Sequence, residues 1–146
     1  MQKASHILKN PSGLYMLDAS TSLADVASVA EQKGFALYHI DGSIVEDSQD
    51  FLAQARQVFP QQVGDDWDGL LAVLKDLSWC SSSGVIVLFS DFQRFAHQNQ
   101  AHFNAAMDSL RDAAQFWHIH MSQMQPVYIL LKGHSSGMPG PYVPAR

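Results

Sequence analysis

The segment that decides the fold is Phe59–Trp79, which reads FPQQVGDDWDGLLAVLKDLSW. Its second half predicts a helix over Asp66–Leu77. Asp65 or Asp66 is placed to cap the free backbone amides at the helix start, and Asp68 in the first turn suits the positive end of the helix dipole. The side chains expected to face the core recur at spacings of three and four residues: Trp67, Leu70, Leu74 and Leu77.

The other side of this helix is polar. Asp68, Lys75 and Asp76 fall off the apolar stripe together with Ala72, and Leu71 lies at its margin. Charged helix faces are usually just solvated. The pattern by itself therefore predicts an amphipathic helix with an acidic side that faces water.

Three short apolar runs predict strands: Phe35–Ile40, Val85–Phe89 and Val127–Leu131. None alternates cleanly with polar residues, which is typical of strands covered on both faces. Helical segments separate the runs, so we expect parallel strands joined by right-handed crossovers. The sequence predicts an α/β fold with a three-stranded parallel sheet flanked by helices. An early extended segment, Leu14–Leu17, is expected either to add a strand or to cover a sheet edge.

Four further helices are predicted around the sheet. Leu23–Lys33 follows a Ser/Thr cluster that can cap it and ends at Gly34. Ser48–Val58 stops before Pro60, because a residue that precedes proline disfavours helix. The remaining two are a short helix and a long one: Phe92–His97 and Ala101–Phe116.

The chain of 146 residues has a suitable size for one domain, and we expect that domain over residues 1–132 with its core at about 34–132. Residues 133–146 hold three of the six prolines and three of the nine glycines, so we expect a flexible tail there.

Composition excludes several classes of protein. An apolar content of 47% with 16% charged residues is that of a globular protein, not a disordered one. The longest apolar runs, Val85–Phe89 among them, are far shorter than the roughly 20 residues that a membrane span needs. Met1–Lys9 does not resemble a signal peptide, and the single cysteine, Cys80, has no internal disulfide partner. We therefore expect a cytoplasmic protein with no membrane partner.

The negative charge is concentrated in one stretch. Asp41–Asp76 contains eight acids and two bases, a net charge of −6, whereas the whole chain carries −5. A concentrated negative surface repels phosphates and speeds association with a basic partner. We therefore expect a protein partner and no direct binding of nucleic acid.

The sequence contains little that indicates a catalytic site or a metal site. Asp65, Asp66 and Asp68 contain the right atoms for Mg²⁺, but no further oxygen ligands stand at fixed spacings, so we expect capping and surface charge instead. Cys80 has no cysteine partner at zinc spacing, and Ser81–Ser83 lack the nucleophile elbow of hydrolases. Four histidines are expected to be surface or packing residues: His97, His102, His118 and His120. We predict no catalytic residue, no metal and no cofactor.

The motif in the central segment resembles the barstar family of ribonuclease inhibitors. Its pattern is FP-x3-G-[DN]-x-W-D-x-L-x3-L-x-D-L-x-W, and the resemblance covers about residues 34–131. It continues through the strand at Val85–Phe89, the helix start at Phe92 and the Arg111-Asp112-Ala113 sequence before the last strand. The residues that carry the motif are Phe59, Pro60, Gly64, Trp67, Asp68, Leu70, Leu74, Asp76, Leu77 and Trp79.

The resemblance implies a protein that inhibits by blocking a partner's active site. Members of the family plug the basic site of a secreted ribonuclease with this helix and the loop before it. Asp68 matches a family carboxylate on the binding helix, and Asp112 matches a second acidic contact on the long helix. Gly64 and Asp65 fall in the loop that approaches the enzyme. The partner-binding residues that we predict are Gln62, Gly64, Asp65, Asp66, Asp68, Leu71, Ala72, Lys75, Asp76 and Asp112.

Four positions depart from the family pattern. Ala72 stands where the most important inhibitory aspartate is expected, and Asp66 replaces an asparagine. Gln62 replaces an aromatic contact, and Leu71 replaces a tryptophan. Three outcomes stay open: inhibition of a diverged nuclease, inhibition of another kind of toxin, or loss of inhibition.

The sequence leads to three functional hypotheses. The first is a barstar-like inhibitor with an immunity-type role, a monomer when free, whose partner is a basic ribonuclease or toxin domain. The second is a regulatory protein-binding module that keeps the barstar fold but does not inhibit a ribonuclease. The third is a hydrolase with a carboxylate site around Asp65–Asp68.

Overall fold

Four parallel strands form one sheet in the part of the chain that the structure describes. The computed structural model describes residues 13–17, 21–59, 64, 66–75, 84–119 and 126–133. The strands are β1 (Gly13–Met16), β2 (Phe35–Asp41), β3 (Gly84–Ser90) and β4 (Val127–Lys132), in the spatial order β1-β4-β3-β2. The parallel sheet predicted from the three apolar runs is confirmed, and the early extended segment adds a fourth strand by pairing with β4.

Helices connect the strands. They are α1 (Leu23–Lys33), α2 (Ser48–Val58), α3 (Trp67–Lys75), α4 (Gln93–Gln98) and α5 (Gln100–Ile119), with a 3₁₀ turn at Gly42–Ile44. The bounds of α1 and α2 are those predicted. Asp76 and Leu77, predicted to continue α3, lie outside the described residues, as does the tail 134–146. No helix in the described part of the chain is long and apolar enough to cross a membrane.

Local signals explain where the helices start and end. Ser22 and Asp25 form a reciprocal capping box on α1, and Gly34 closes that helix with a φ of 73°. Asp47 caps α2 by accepting the N–H of Asp50. Helix α5 starts one residue earlier than predicted, because Asn99 precedes it and its side chain accepts the N–H of His102.

The sheet separates two apolar cores. All seven residues of β3 are buried, which confirms that this strand is covered on both faces. Helices α2 to α5 lie over the larger core, which includes Phe51, Phe89 and Phe103. The smaller core contains Val26 and Ala30 of α1, packed with residues of β1, β3 and β4. The binding helix predicted from the sequence, α3, belongs to the larger core.

A side chain covers part of the outer edge of β2. The Asp41 N–H donates to Gln54 Oε1 at 2.9 Å, and Gln54 Nε2 donates to the Asp41 carbonyl at 2.8 Å. The primary amide of Gln54 thus presents one donor and one acceptor, as a peptide group of a neighbouring strand would. Helix α2 therefore provides hydrogen-bond partners for the backbone groups at the end of β2. Without them, this edge strand could pair with another chain.

The turn after β2 requires a glycine. A Cβ atom at Gly42 would lie 2.8 Å from the Asp91 carbonyl oxygen and in steric conflict with the Ser90 carbonyl oxygen as well. These two carbonyls belong to the last residue of β3 and to the residue after it, and the Phe89 ring also lies within 2.9 Å. Gly42 therefore allows the chain after β2 to pass close against the end of the neighbouring strand.

We predict that Gly42→Ala destabilises the fold. The added methyl group has to push two backbone segments apart, so the free energy of unfolding should fall by about 1–3 kcal/mol. Urea denaturation measures the change, with Ile44→Ala as the control because Ile44 is 65% exposed in the same turn. Equal midpoints for the two variants would contradict the close approach at Gly42.

Candidate functional site

The start of α3 is fixed by Asp66. Its Oδ1 accepts the Gly69 N–H at 2.9 Å, and its carbonyl accepts the Leu70 N–H at 3.2 Å. The predicted cap is therefore confirmed for Asp66, whereas Asp65 lies outside the described residues. Because its carboxylate is engaged with the helix start, Asp66 has a structural role whether or not it also meets a partner.

The apolar side of α3 anchors it in the larger core. Leu70 and Leu74 are buried as predicted, and Trp67 is half-buried with its ring 5.2 Å from that of Phe51. Val73 is also buried, although the predicted stripe did not include it. The apolar side of the helix is therefore wider than the residues at strict three- and four-residue spacing suggested.

The opposite side of α3 is open to solvent. Asp68 and Ala72 are exposed, and Leu71 is half-buried against the larger core. Asp68 makes no hydrogen bond or ion pair with any residue that the structure describes. Its carboxylate is therefore available to a partner without first breaking an internal contact.

Helix α5 supplies the neighbouring part of this surface. Lys75 Nζ lies 3.8 Å from Asp112 Oδ1 and 5.4 Å from the centre of the Phe116 ring. The Asp112 side chain is 57% exposed, so the pair is solvated and weak. We call the surface made by Asp68, Leu71, Ala72, Lys75, Asp112 and Phe116 the α3–α5 face.

A buried hydrogen bond fixes α3 against α5. The indole N–H of Trp117 donates to the Leu74 carbonyl at 2.7 Å. That carbonyl lies in the last described turn of α3. The Trp117 side chain is itself buried. The bond sets the position of the exposed side of α3 relative to Asp112 and Phe116.

Gly64, which precedes α3, is contacted by a side chain of α2. Arg56 Nη1 donates to the Gly64 carbonyl at 2.9 Å. Gly64 has a φ of 85°, a conformation that glycine adopts without the strain that other residues would suffer. Gln62 and Asp65, the other residues predicted in this loop, lie outside the described residues.

The structure thus brings together part of the predicted site. Asp68, Leu71, Ala72 and Lys75 share the α3–α5 face with Asp112, while Asp76 is not among the described residues. The sequence did not predict the positions of Phe116 and Arg56 at this site or the hydrogen bond from Trp117. Phe116 could have been found, because it stands four residues after Asp112 in a predicted helix and so lies on the same side.

Most acids of the Asp41–Asp76 stretch have structural tasks. Asp41, Asp47 and Asp50 accept backbone N–H groups, from Ser43, Asp50 and Glu46 respectively. Glu46 pairs with Arg94. The two bases of the stretch, Arg56 and Lys75, lie at the loop and on the α3–α5 face. Fewer of these carboxylates than the sequence suggests are therefore free of internal contacts and open to direct pairing with a partner.

The part of the chain that the structure describes contains no candidate metal-binding site. No group of three His, Cys, Asp or Glu side chains is arranged there to hold an ion. His102 Nδ1 accepts the N–H of Ser48 at 3.0 Å, which is a packing role. Cys80 and His120 lie outside the described residues.

Comparison with known protein families decides the assignment. The family described as Barstar (barnase inhibitor) matches residues 35–132, which include β2 to β4 and the whole α3–α5 face. This chain belongs to the barstar family. The family suggested by the motif in Phe59–Trp79 is thereby confirmed.

Another protein of known structure has a similar fold. It is the ORC2 protein of Aeropyrum pernix, determined as ADPNP-ADP complexes, which matches with a TM-score of 0.55 and 15% sequence identity. The match covers 90% of this chain and 38% of that one, so the barstar-family chain spans well under half of the ORC2 protein. At this identity the likeness shows the fold alone. A search of curated protein sequences gives no match.

We predict that Trp117→Phe lowers stability and loosens α3. Phenylalanine preserves most of the apolar contact but leaves the buried Leu74 carbonyl without its donor, which should cost about 1–3 kcal/mol. Thermal and urea unfolding measure the loss, and faster amide hydrogen exchange in α3 than in α1 localises it. Uniform exchange across both helices would show that the bond does not specifically hold α3.

Proposed function

We propose that this protein is an inhibitor that occludes the basic active site of a ribonuclease or related toxin domain, in an immunity-type role. The observation that carries the proposal is the exposed carboxylate of Asp68, unpaired within the described residues, on a helix fixed to the core. It lies within the segment that matches the inhibitor family.

Electrostatics and rigidity both support this proposal. A ribonuclease needs a basic site because it must bind phosphate, and a carboxylate presented by the inhibitor pairs with such bases. Complementary charge speeds encounter and favours the correct partner. The Trp117–Leu74 bond and the apolar side of α3 hold the helix in place before binding, so little conformational entropy is lost on association. Inhibition of this kind requires neither turnover nor a cofactor.

The arrangement of the chain is compatible with one functional domain. β1 precedes the segment that matches the family, yet it pairs with β4 in register over four residues. This pairing supports the expectation that residues 1–132 act as one domain, and we take that domain to work as a monomer when free in the cytoplasm.

We predict that Asp68→Lys abolishes partner binding without unfolding the protein. The change places a positive charge against a basic partner, so affinity should fall by more than about tenfold. Pull-downs from the lysate and the secreted fraction of the source organism, followed by titration of the retained protein, measure the effect. Circular dichroism checks that the helices persist.

The matched control is Glu31→Lys. It makes the same change of charge at an exposed position of α1, the helix that lies on the other face of the sheet. A basic nuclease or toxin domain retained by the wild type and Glu31→Lys, but lost from Asp68→Lys, would support the inhibitor. If all three baits retained the same partner, the α3–α5 face would not be the binding surface.

The second candidate is a protein-binding module on the barstar fold that does not inhibit a ribonuclease. Ala72 and the Lys75–Asp112 pair favour it, because they reduce the negative charge that a phosphate-binding site would meet. Salt distinguishes the two functions: binding to a basic active site should weaken as ionic strength rises, whereas a module that binds by apolar contact should respond little.

A further inference from the structure

We propose that the partner presents an apolar side chain to the centre of the α3–α5 face and confines its basic group to the Asp68 end. This inference rests on the proposed function and specifies the chemistry of the partner. It concerns how the six residues of the face are ordered along α3 and α5.

The centre of the face presents apolar atoms. Ala72 is exposed and has only a methyl side chain, and Leu71 beside it is half-buried and continuous with the larger core. Asp68 precedes Ala72 by four residues, so the two are neighbours on the helix surface about one turn apart. Among the described residues, the nearest uncommitted carboxylate to Ala72 therefore lies at one end of the face.

Among the residues that the structure describes, the other end of the face is locally neutral. The charges of Lys75 and Asp112 offset one another, and the ammonium group also lies over the Phe116 ring. Lys75 follows Ala72 by three residues, which places its positive charge beside the centre. Asp112 therefore offers a partner less negative charge than its exposure suggests.

A basic partner group at the centre would be unfavourable. It would lose hydration on binding, meet no free carboxylate there and approach the Lys75 ammonium group. An apolar partner group would lose no charge hydration and would contact Leu71 and Ala72. Interfaces generally concentrate apolar groups at the centre and charges at the rim, which agrees with this order. The matching partner has one base opposite Asp68 and an apolar side chain about one helical turn away.

Ala72→Asp tests this inference directly. The position is exposed, so the variant should fold, and circular dichroism checks that it does. Ala27→Asp is the matched control, since it adds the same charge at an exposed position of α1. Two probes are titrated into each full-length protein: purified barnase, whose site binds phosphate and is therefore basic, and the protein retained by the wild-type bait and lost from Asp68→Lys.

The two probes should respond in opposite directions. Ala72→Asp should strengthen barnase binding by about tenfold or more and weaken binding of the retained partner by a similar factor, because it converts an apolar centre to an anionic one. Ala27→Asp should change neither affinity.

Two results would overturn the inference while the proposed function survives. One is tighter or unchanged binding of the retained partner to Ala72→Asp. The other is equal affinity of barnase for Ala72→Asp and the wild type, because the residue at the centre of the face would then not determine which kind of partner binds. Failure of the proposed function looks different: the wild-type bait would retain no partner that depends on Asp68.

Discussion

The geometry of the candidate site depends on the hydrogen bond from the Trp117 indole to the Leu74 carbonyl. The bond is buried, so a missing donor would not be replaced by water at low cost. It joins the last turn of α3 to α5 at the level where Lys75 meets Asp112. Because two helices that pack by apolar contact alone have several acceptable positions, a directional bond of this kind selects one of them. The exposed side of α3 is thereby positioned by an interaction inside the core.

Local sequence signals predict the fold well because each acts over a few residues. The capping box at Ser22 and the left-handed Gly34 bound α1 from within its own sequence, and the uninterrupted apolar run of β3 predicts its burial. The contacts that arrange the site join residues far apart in the chain. The Lys75–Asp112 pair and the Trp117–Leu74 bond depend on how α3 packs against α5, and helix periodicity does not determine that register.

A count of charges along the chain overstates the negative surface, because it does not show which carboxylates make contacts within the fold. A carboxylate near a helix or turn start is equally suited to capping backbone amides and to meeting a basic partner, and the sequence does not distinguish the two. Asp47 and Asp66 cap helices, and Glu46 is neutralised by Arg94, which stands 48 residues later. Asp68 differs because it follows the cap and points away from the apolar side of its helix. Among the acids of the stretch that the structure describes, Asp68 is therefore the strongest candidate for direct contact with a partner.

The two sides of α3 are subject to different physical constraints. Leu70, Val73 and Leu74 are packed in the core, where a loss of volume leaves a cavity and costs stability. Ala72 and Asp68 lie on the exposed side, where most substitutions change stability by less than about 0.5 kcal/mol. A barstar-family chain can therefore carry a methyl group instead of a charged group at the centre of the α3–α5 face and still fold. The same division explains why the motif residues Leu70 and Leu74 are constrained by the core, whereas the chemistry of the partner has to be derived from the exposed residues.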